Sequence, residues 1–346
     1  MFSAFSDDLS NILERGHGDF VRLRGAHLLI TGGTGLFGKW LLQSLLWANE
    51  LLALNLKLTV LSRNSEEFLT KNPEYRGEGI IEWITGDIRS FSLQNGRAID
   101  FVIHGATAAS KDQNDKNPQL MFDTIVSGAD HLCKIIDGVE SVLLYSSGAV
   151  YGPRFEAVSE TSLCSTNPLD PKNAYAVGKL CSEHQTFLAL REKNISLKIA
   201  RCFAFLGPHL SLDIHFAIGN FIKDCLDGKD ITLLGDGTPH RSYMYMGDLV
   251  LWSLAILIRG KKDNAYNVGS DEGLPLSEIA ERVRSIYAEE DRSYNGRVVI
   301  HRQKREGKTS IYVPCIHKAK SELNIRVWTS LEDAIRRTIK WNRTGK

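Results

Sequence analysis

The segment Tyr175-Ala176-Val177-Gly178-Lys179 sets a phenol and an ammonium four residues apart. On a helix that spacing puts both on one face, where they can act together. A cation beside a phenol favours the phenolate, so the pair suits acid–base work near the working pH. About 30 residues upstream, YSSGAVYG runs from Tyr145 to Gly152, straight after the apolar Val142-Leu143-Leu144. A strand leaving the core in two hydroxyls suits a ligand-facing edge, and Ser147 can bond the same substrate oxygen as Tyr175. The next two residues, Gly148 and Ala149, carry no group that moves a proton.

A second constellation lies near the N-terminus. In LLITGGTGLFGKWLLQSLL, Gly32-x-x-Gly35-x-x-Gly38 stands between an apolar strand candidate and a helix-length segment. Glycines there permit a tight turn and let backbone N–H groups approach a pyrophosphate. The expected dinucleotide contacts are Gly32, Thr34, Gly35, Leu36, Phe37 and Gly38. The second strand ends in Ser62-Arg63, with no acid for the ribose 2′-OH of NAD. Ser62 and Arg63 can instead hold a 2′-phosphate, which tilts the expectation to NADP over NAD; a solvent-facing Arg63 is the alternative. After the third strand, Asp87 and Ile88 stand where an acid can accept from the adenine amino group, or simply meet solvent.

These residues need a frame to position them. Strand candidates are His27–Thr31, Leu56–Leu61, Ile81–Ile84, Phe101–His104, Ser141–Tyr145 and Ser196–Ala200, separated by the helix-length segments Phe37–Ala53, Gln119–Asp137 and Ala174–Lys193. That alternation predicts an α/β fold: a Rossmann-type, doubly wound parallel sheet. Apolar runs with little alternation fit strands covered on both faces. Residues 1–24 read as a short amphipathic helical extension preceding the fold proper, and 25–207 as the dinucleotide-binding domain. From 208 to 346 the rhythm loosens into a smaller mixed lobe, with a helix at Ala217–Asp227 and a strand at Ile231–Leu234.

Composition narrows the partners. The 346 residues are 43% hydrophobic and 24% charged, ordinary for a globular chain, and 42 basic residues nearly cancel 41 acidic ones. No chain-wide field would therefore recruit nucleic acid or an anionic membrane. No stretch approaches the ~18 apolar residues of a membrane span, and the N-terminus lacks a secretory core, so a cytoplasmic setting is expected. Cys133, Cys164, Cys181, Cys202, Cys225 and Cys315 are scattered without a CxxC pair, which suits free thiols and no metal site.

Taken in order, TGGTGLFG, GDI, HGAT, SSGAVYG, Tyr-x-x-x-Lys and RCFAFLGP resemble the extended short-chain dehydrogenase/reductase family, and within it the nucleotide-sugar epimerases and dehydratases. GDGTPHRSYMYMGDL and AYNVGS extend the resemblance over about residues 25–345. It implies that Tyr175 takes a proton from a sugar hydroxyl, usually O4, while hydride leaves that carbon for the nicotinamide. Lys179 would hold the nicotinamide ribose and lower the Tyr175 pKa, and Ser147 would share the proton or orient the sugar. Arg241 would contact the diphosphate of a nucleotide-diphosphate sugar, and Asn220 would lie against phosphate or base. The helices carrying Tyr175 and Gln119–Asp137 would pair into a four-helix bundle across a homodimer.

Departures from the family pattern bear on the reaction. Related 4,6-dehydratases have Asp-Glu, and sugar-acid decarboxylases a glutamate, where Gly148 and Ala149 stand here. That favours a 4-epimerase or a 4-keto-sugar reductase. Ala204 replaces a common Asn, Ile125 a polar residue, and Pro314-Cys315 a frequent acid. The alternatives are a dehydratase or decarboxylase drawing a base from Lys111, Asp112, His104 or Asp213, and a dinucleotide-sensing protein without catalysis. For His104 the plainer expectation is a satisfied core histidine.

Overall fold

The computed structural model describes residues 6–76, 79–93, 98–107, 115–212, 217–302 and 307–344. Expected Lys111, Asp112 and Asp213 fall outside them. The first part of the chain runs α1 (Ser6–Arg22), β1 (His27–Thr31), α2 (Leu36–Leu52), β2 (Lys57–Ser62), α3 (Ser65–Lys71), β3 (Ile81–Thr85), β4 (Phe101–His104), α4 (Pro118–Ile135), β5 (Ser141–Ser147), α5 (Ala174–Glu192), β6 (Ser196–Cys202) and β7 (Phe205–Leu206). It continues through α6 (Ala217–Leu226), β8 (Ile231–Leu233), β9 (His240–Arg241), β10 (Met244–Tyr245), α7 (Met246–Arg259), β11 (Asn264–Val268), β12 (Leu274–Pro275), α8 (Leu276–Glu290), β13 (Val298–Ile300), β14 (Ile311–Tyr312), α9 (His317–Leu323) and α10 (Leu331–Arg343).

Seven strands form one sheet in the order β3-β2-β1-β4-β5-β6-β11, every neighbouring pair parallel. The order reverses between β1 and β4, which opens a crevice at their carboxyl ends. Both faces are covered, as the unalternating apolar runs imply. Leu28 and Ile30 of β1 bury toward α2 and α7, while Leu29 buries toward the layer that holds Leu132 of α4 and Leu190 of α5. Ile125, expected as a departure from a polar position, is buried against Gly178 and packs α4 onto α5.

The structure lengthens β5 and β6 by two residues each. β5 does not end at Tyr145 but keeps pairing with β6 through Ser146↔Arg201 and Ser147↔Cys202. Both hydroxyls are therefore held by the ladder rather than by a loop. α1 also differs from the expected leading extension. Its Leu9, Ile12 and Phe20 are buried in the main core, and Asp19 receives Arg259 Nε at 2.7 Å and Nη2 at 3.0 Å. Its amphipathic stripe is answered by α2 and α7. Beyond β7, small sheets carry the rest: β12-β9-β14, β10-β7 and β13-β8.

Behind the site, Arg201 of β6 forks onto Glu183 of α5 at 3.0 and 2.7 Å and donates to the Tyr151 hydroxyl at 3.0 Å. Tyr151 donates in turn to Asn267 of β11 at 2.7 Å. The ion pair is almost closed to water, with side chains 11% and 6% exposed. Removing one partner of such a pair leaves a buried charge uncompensated. Glu183→Ala should therefore cost roughly 3–5 kcal/mol in chemical denaturation; a loss below about 1 kcal/mol would mean that the pair is effectively solvated.

Candidate active site

The glycine loop follows β1 directly. Gly32 has φ +78°, and a Cβ there would lie 2.7 Å from the Gly105 backbone, so only glycine suits this crossing of the β1 and β4 ends. α2 then begins at Leu36 behind Gly35, with no side chain capping its first N–H groups. These donors face the crevice and suit an anion such as a pyrophosphate. Ser146 Oγ, buried on the same cavity, has no hydrogen-bond partner among the described residues. Turn, open helix end and orphan hydroxyl all fit a dinucleotide.

The cavity measures about 670 Å³. It is lined by Gly32, Thr34, Gly35, Leu36, Phe37 and Gly38, by Ser62 and Arg63, by Asp87 and Ile88, and by Ser147, Tyr175 and Lys179. The expected cofactor and catalytic residues thus converge on one space. Asn220 and Arg241 do not line it: Asn220 is exposed on α6, and Arg241 is half-buried on β9, its Nη1 donating to its neighbour's carbonyl, His240 O, at 2.7 Å.

At the adenine-facing end, Arg63 is exposed while Ser62 is buried and accepts from Asn64 N at 3.3 Å. Asp87 is gripped by Arg89, a residue the sequence reading passed over. Arg89 Nε and Nη2 reach the two carboxylate oxygens at 2.8 Å each, and this bond holds the carboxyl down at about 2. Asp87 is therefore a charged acceptor throughout the neutral range, with lone pairs to spare. The signal was present in GDIR, two residues on from the acid.

His104 is settled by hydrogen-bond accounting. Thr31 Oγ1 accepts Gly105 N at 3.2 Å and Ala106 N at 3.1 Å, so its one proton points to His104 Nδ1 at 2.7 Å. Burial, with Lys179 nearby, pushes His104 down to about 3. It is a neutral core histidine rather than a base.

Lys179 is buried and donates from Nζ to Tyr145 O at 2.8 Å, and burial pushes it down to about 8. Its ammonium is 5.9 Å from the Tyr175 ring centre. Burial pushes Tyr175 up to about 12, and the group pulling it back is Ser147, through a side-chain hydrogen bond. Ser147 Oγ also accepts Ala149 N at 3.1 Å.

The missing acids have a physical counterpart. A Cβ on Gly148 would lie 2.7 Å from the Phe203 ring, which itself packs on Tyr312 with ring centres 4.8 Å apart. Aromatic carbon occupies the space in which a side chain at position 148 would start. Tyr312 was not singled out in the sequence; its strand is two residues long and has no periodicity to find.

The match to known proteins agrees with this geometry. The model of the NAD dependent epimerase/dehydratase family matches residues 28–269. UDP-glucuronic acid decarboxylase 1 of Xenopus tropicalis is 25% identical over 320 residues, 91% of this chain and 72% of that protein. UDP-glucuronic acid decarboxylase 6 of Arabidopsis thaliana is 28% identical over 263 residues, 75% of this chain and 74% of the other. Among solved structures, a dTDP-glucose 4,6-dehydratase of Streptomyces venezuelae with NAD bound superposes with a TM-score of 0.75 at 25% identity, covering 92% of this chain and 97% of that one. The UDP-glucuronic acid 4-epimerase of Bacillus cereus gives a TM-score of 0.75 at 22% identity, covering 92% and 100%, and at that identity it speaks for the fold. With a glycine loop, a Ser-Tyr-Lys set and a family match across most of its length, this chain belongs to the NAD-dependent epimerase/dehydratase family.

Proposed function

We propose that the protein is an enzyme of nucleotide-diphosphate sugars that transfers hydride at C4, as a 4-epimerase or a 4-keto-sugar reductase. The observation that carries this reading is the pairing of a complete Ser147, Tyr175 and Lys179 set with an aromatic-filled space at Gly148. The dinucleotide, when bound, supplies the hydride acceptor or donor. Tyr175 takes the proton of the sugar O4 hydroxyl, and Ser147 shares that hydrogen bond and orients the sugar. Lys179, already fixed on the Tyr145 carbonyl, holds the nicotinamide ribose. The amides at the start of α2 cradle the pyrophosphate, and Asp87 accepts from the adenine. Arg241, on the lobe after residue 208, would contact the diphosphate and Asn220 its phosphate or base, both from outside the cavity described above.

The decarboxylase and dehydratase relatives make elimination chemistry the reading to weigh against it. Such chemistry needs a base or acid at the carbon next to C4. Gly148 and Ala149 offer none, and His104 has its Nδ1 taken by Thr31; Lys111, Asp112 and Asp213, the other candidates, lie outside the described residues. UDP-glucose and UDP-glucuronic acid, the sugars in the names of relatives, are the first substrates to test. No helix among the described residues is long and apolar enough to cross a membrane, and a cytoplasmic setting is part of the proposal.

Tyr175→Phe should lower turnover by ~10²–10⁴-fold, the range for general acid–base groups, with cofactor affinity retained. A purified variant that turns over at the normal rate would remove Tyr175 from the mechanism. The cofactor is proposed to be NADP: Arg63 stands exposed beside Ser62 with no acid at the 2′ position. Arg63→Ala should then weaken NADP(H) about ten- to a hundredfold, a charge-assisted bond's contribution, and leave NAD(H) nearly unchanged. Equal losses in parallel titrations of the two cofactors would point to NAD and tip the reaction toward an epimerase. Association is the third expectation. Phe122 and Val126 of α4 and Val177, Leu180 and Leu188 of α5 keep apolar surface open, which suits pairing of these helices across a two-fold axis. Light scattering should give twice the 38.7 kDa chain mass at micromolar concentration; the chain mass itself would rule the dimer out.

A further inference from the structure

Two hydroxyls on the cavity wall take part in none of the protein's hydrogen bonds. Thr107, three residues past β4, has its Oγ1 shut off from solvent and without a partner among the described residues. Ser146, 3% exposed and one residue before Ser147, is in the same state. Both line the cavity. A hydroxyl shut away without a partner is unfavourable, so it marks where a ligand completes the bonding. Ser146 Oγ has one proton and two lone pairs, enough to serve the cofactor and a second ligand together. Thr124 of α4 adds a third hydroxyl to the lining; it donates to Leu120 O at 2.7 Å and keeps capacity to accept.

The opposite side of Ser147 is apolar. In the sheet, β5 lies between β4 and β6, so Thr107 after β4 and Phe203 after β6 flank the end of β5 from opposite sides. Phe203 also lines the cavity, fills the space beside Gly148, and has the Tyr312 ring centre 4.8 Å from its own. With O4 of a sugar on Ser147 and Tyr175, carbons 3 and 5 turn to opposite sides. Carbon 3 carries a hydroxyl, and carbon 5 carries hydrogen or a carbon substituent. Hydroxyl matches hydroxyl and carbon matches the aromatic ring, so O3 falls on Thr107 and carbon 5 on Phe203.

Charge narrows the carbon 5 substituent. Among the described residues lining the cavity, the cations are Arg63 and Arg89 at the adenine-facing end and Lys179, engaged on Tyr145 O at 2.8 Å. A carboxylate on carbon 5 would be buried against the aromatic pair without a cation, an unfavourable placement. We infer that the substrate is a nucleotide-diphosphate pentose or 6-deoxyhexose, its O3 held by Thr107 and its carbon 5 packed on Phe203, and that uronic acids are rejected. This rests on the function proposed above and chooses among the sugars it allows. It also sets the chain apart from the relatives whose names carry glucuronic acid.

UDP-xylose, UDP-6-deoxyglucose and UDP-glucuronic acid differ only at carbon 5. In calorimetric titration of the cofactor-loaded protein, the first two should bind at least about tenfold more tightly than the third. Equal or tighter binding of UDP-glucuronic acid overturns the proposal. Thr107→Val should weaken UDP-xylose about five- to a hundredfold and leave UDP alone and the cofactor unchanged. Thr107→Ser, which keeps the hydroxyl, should restore the affinity, and UDP-3-deoxyglucose should bind wild type and Thr107→Val alike. An unchanged UDP-xylose affinity in Thr107→Val overturns the assignment of O3, as does a loss that falls on the cofactor or on the 3-deoxy sugar. Failure of the parent reading looks different: no UDP or dTDP sugar then binds at all, or Tyr175→Phe keeps turnover.

Discussion

A buried ammonium at the end of β5 organises the centre of this protein. Lys179 has left water, and its bond to the Tyr145 carbonyl fixes α5 against the strand that ends in Ser146 and Ser147. Burying a charge is costly unless the group is hydrogen-bonded, so the contact leaves α5 little room to slide or turn. Tyr175 rides one turn away on that helix, and Glu183 one turn the other way holds Arg201 on the next strand. The phenol, the serine and the cavity wall are thereby registered through three neighbouring elements. A loop-borne site would lack this precision.

Around that anchor the site divides its work by charge. The dinucleotide end offers backbone amides, an open helix start and the Arg89-clamped Asp87, whose charge does not vary across the neutral range. The reacting end holds one cation, the Lys179 ammonium, among a neutral His104, a phenol raised by burial, a serine and an aromatic pair. Such surroundings, closed to much of the solvent, suit proton and hydride movement.

Much of this was legible in the residues. Continuous apolar runs announced strands covered on both sides, and the glycine loop and Tyr-x-x-x-Lys pair fell where they announced themselves, because each depends on contacts close in sequence. What escaped depends on distant contacts. Phe203 beside Gly148 joins residues 55 positions apart, and Tyr312 comes from a two-residue strand that exists only because β9 lies beside it. The amphipathic pattern of α1 announced a helix but not the partners for its apolar stripe, which are α2 and, more than two hundred residues on, α7. The pKa of Tyr175 also depends on burial, and no spacing rule reports how much water remains around a side chain.

That last pairing bears on how the chain is made. Asp8 of α1 accepts the Tyr245 hydroxyl at 2.8 Å and pairs with Arg337 of α10, so α1 is clasped by a helix more than three hundred residues on. During synthesis, Leu9, Ile12 and Phe20 emerge with α2 close behind, but more than two hundred residues before α7, which covers the rest of their stripe. Contacts of such separation in sequence form late. Between α2 and α7 the growing chain therefore carries α1 with part of its apolar stripe uncovered, a surface that ribosome-associated chaperones are suited to shield until α7 and α10 arrive.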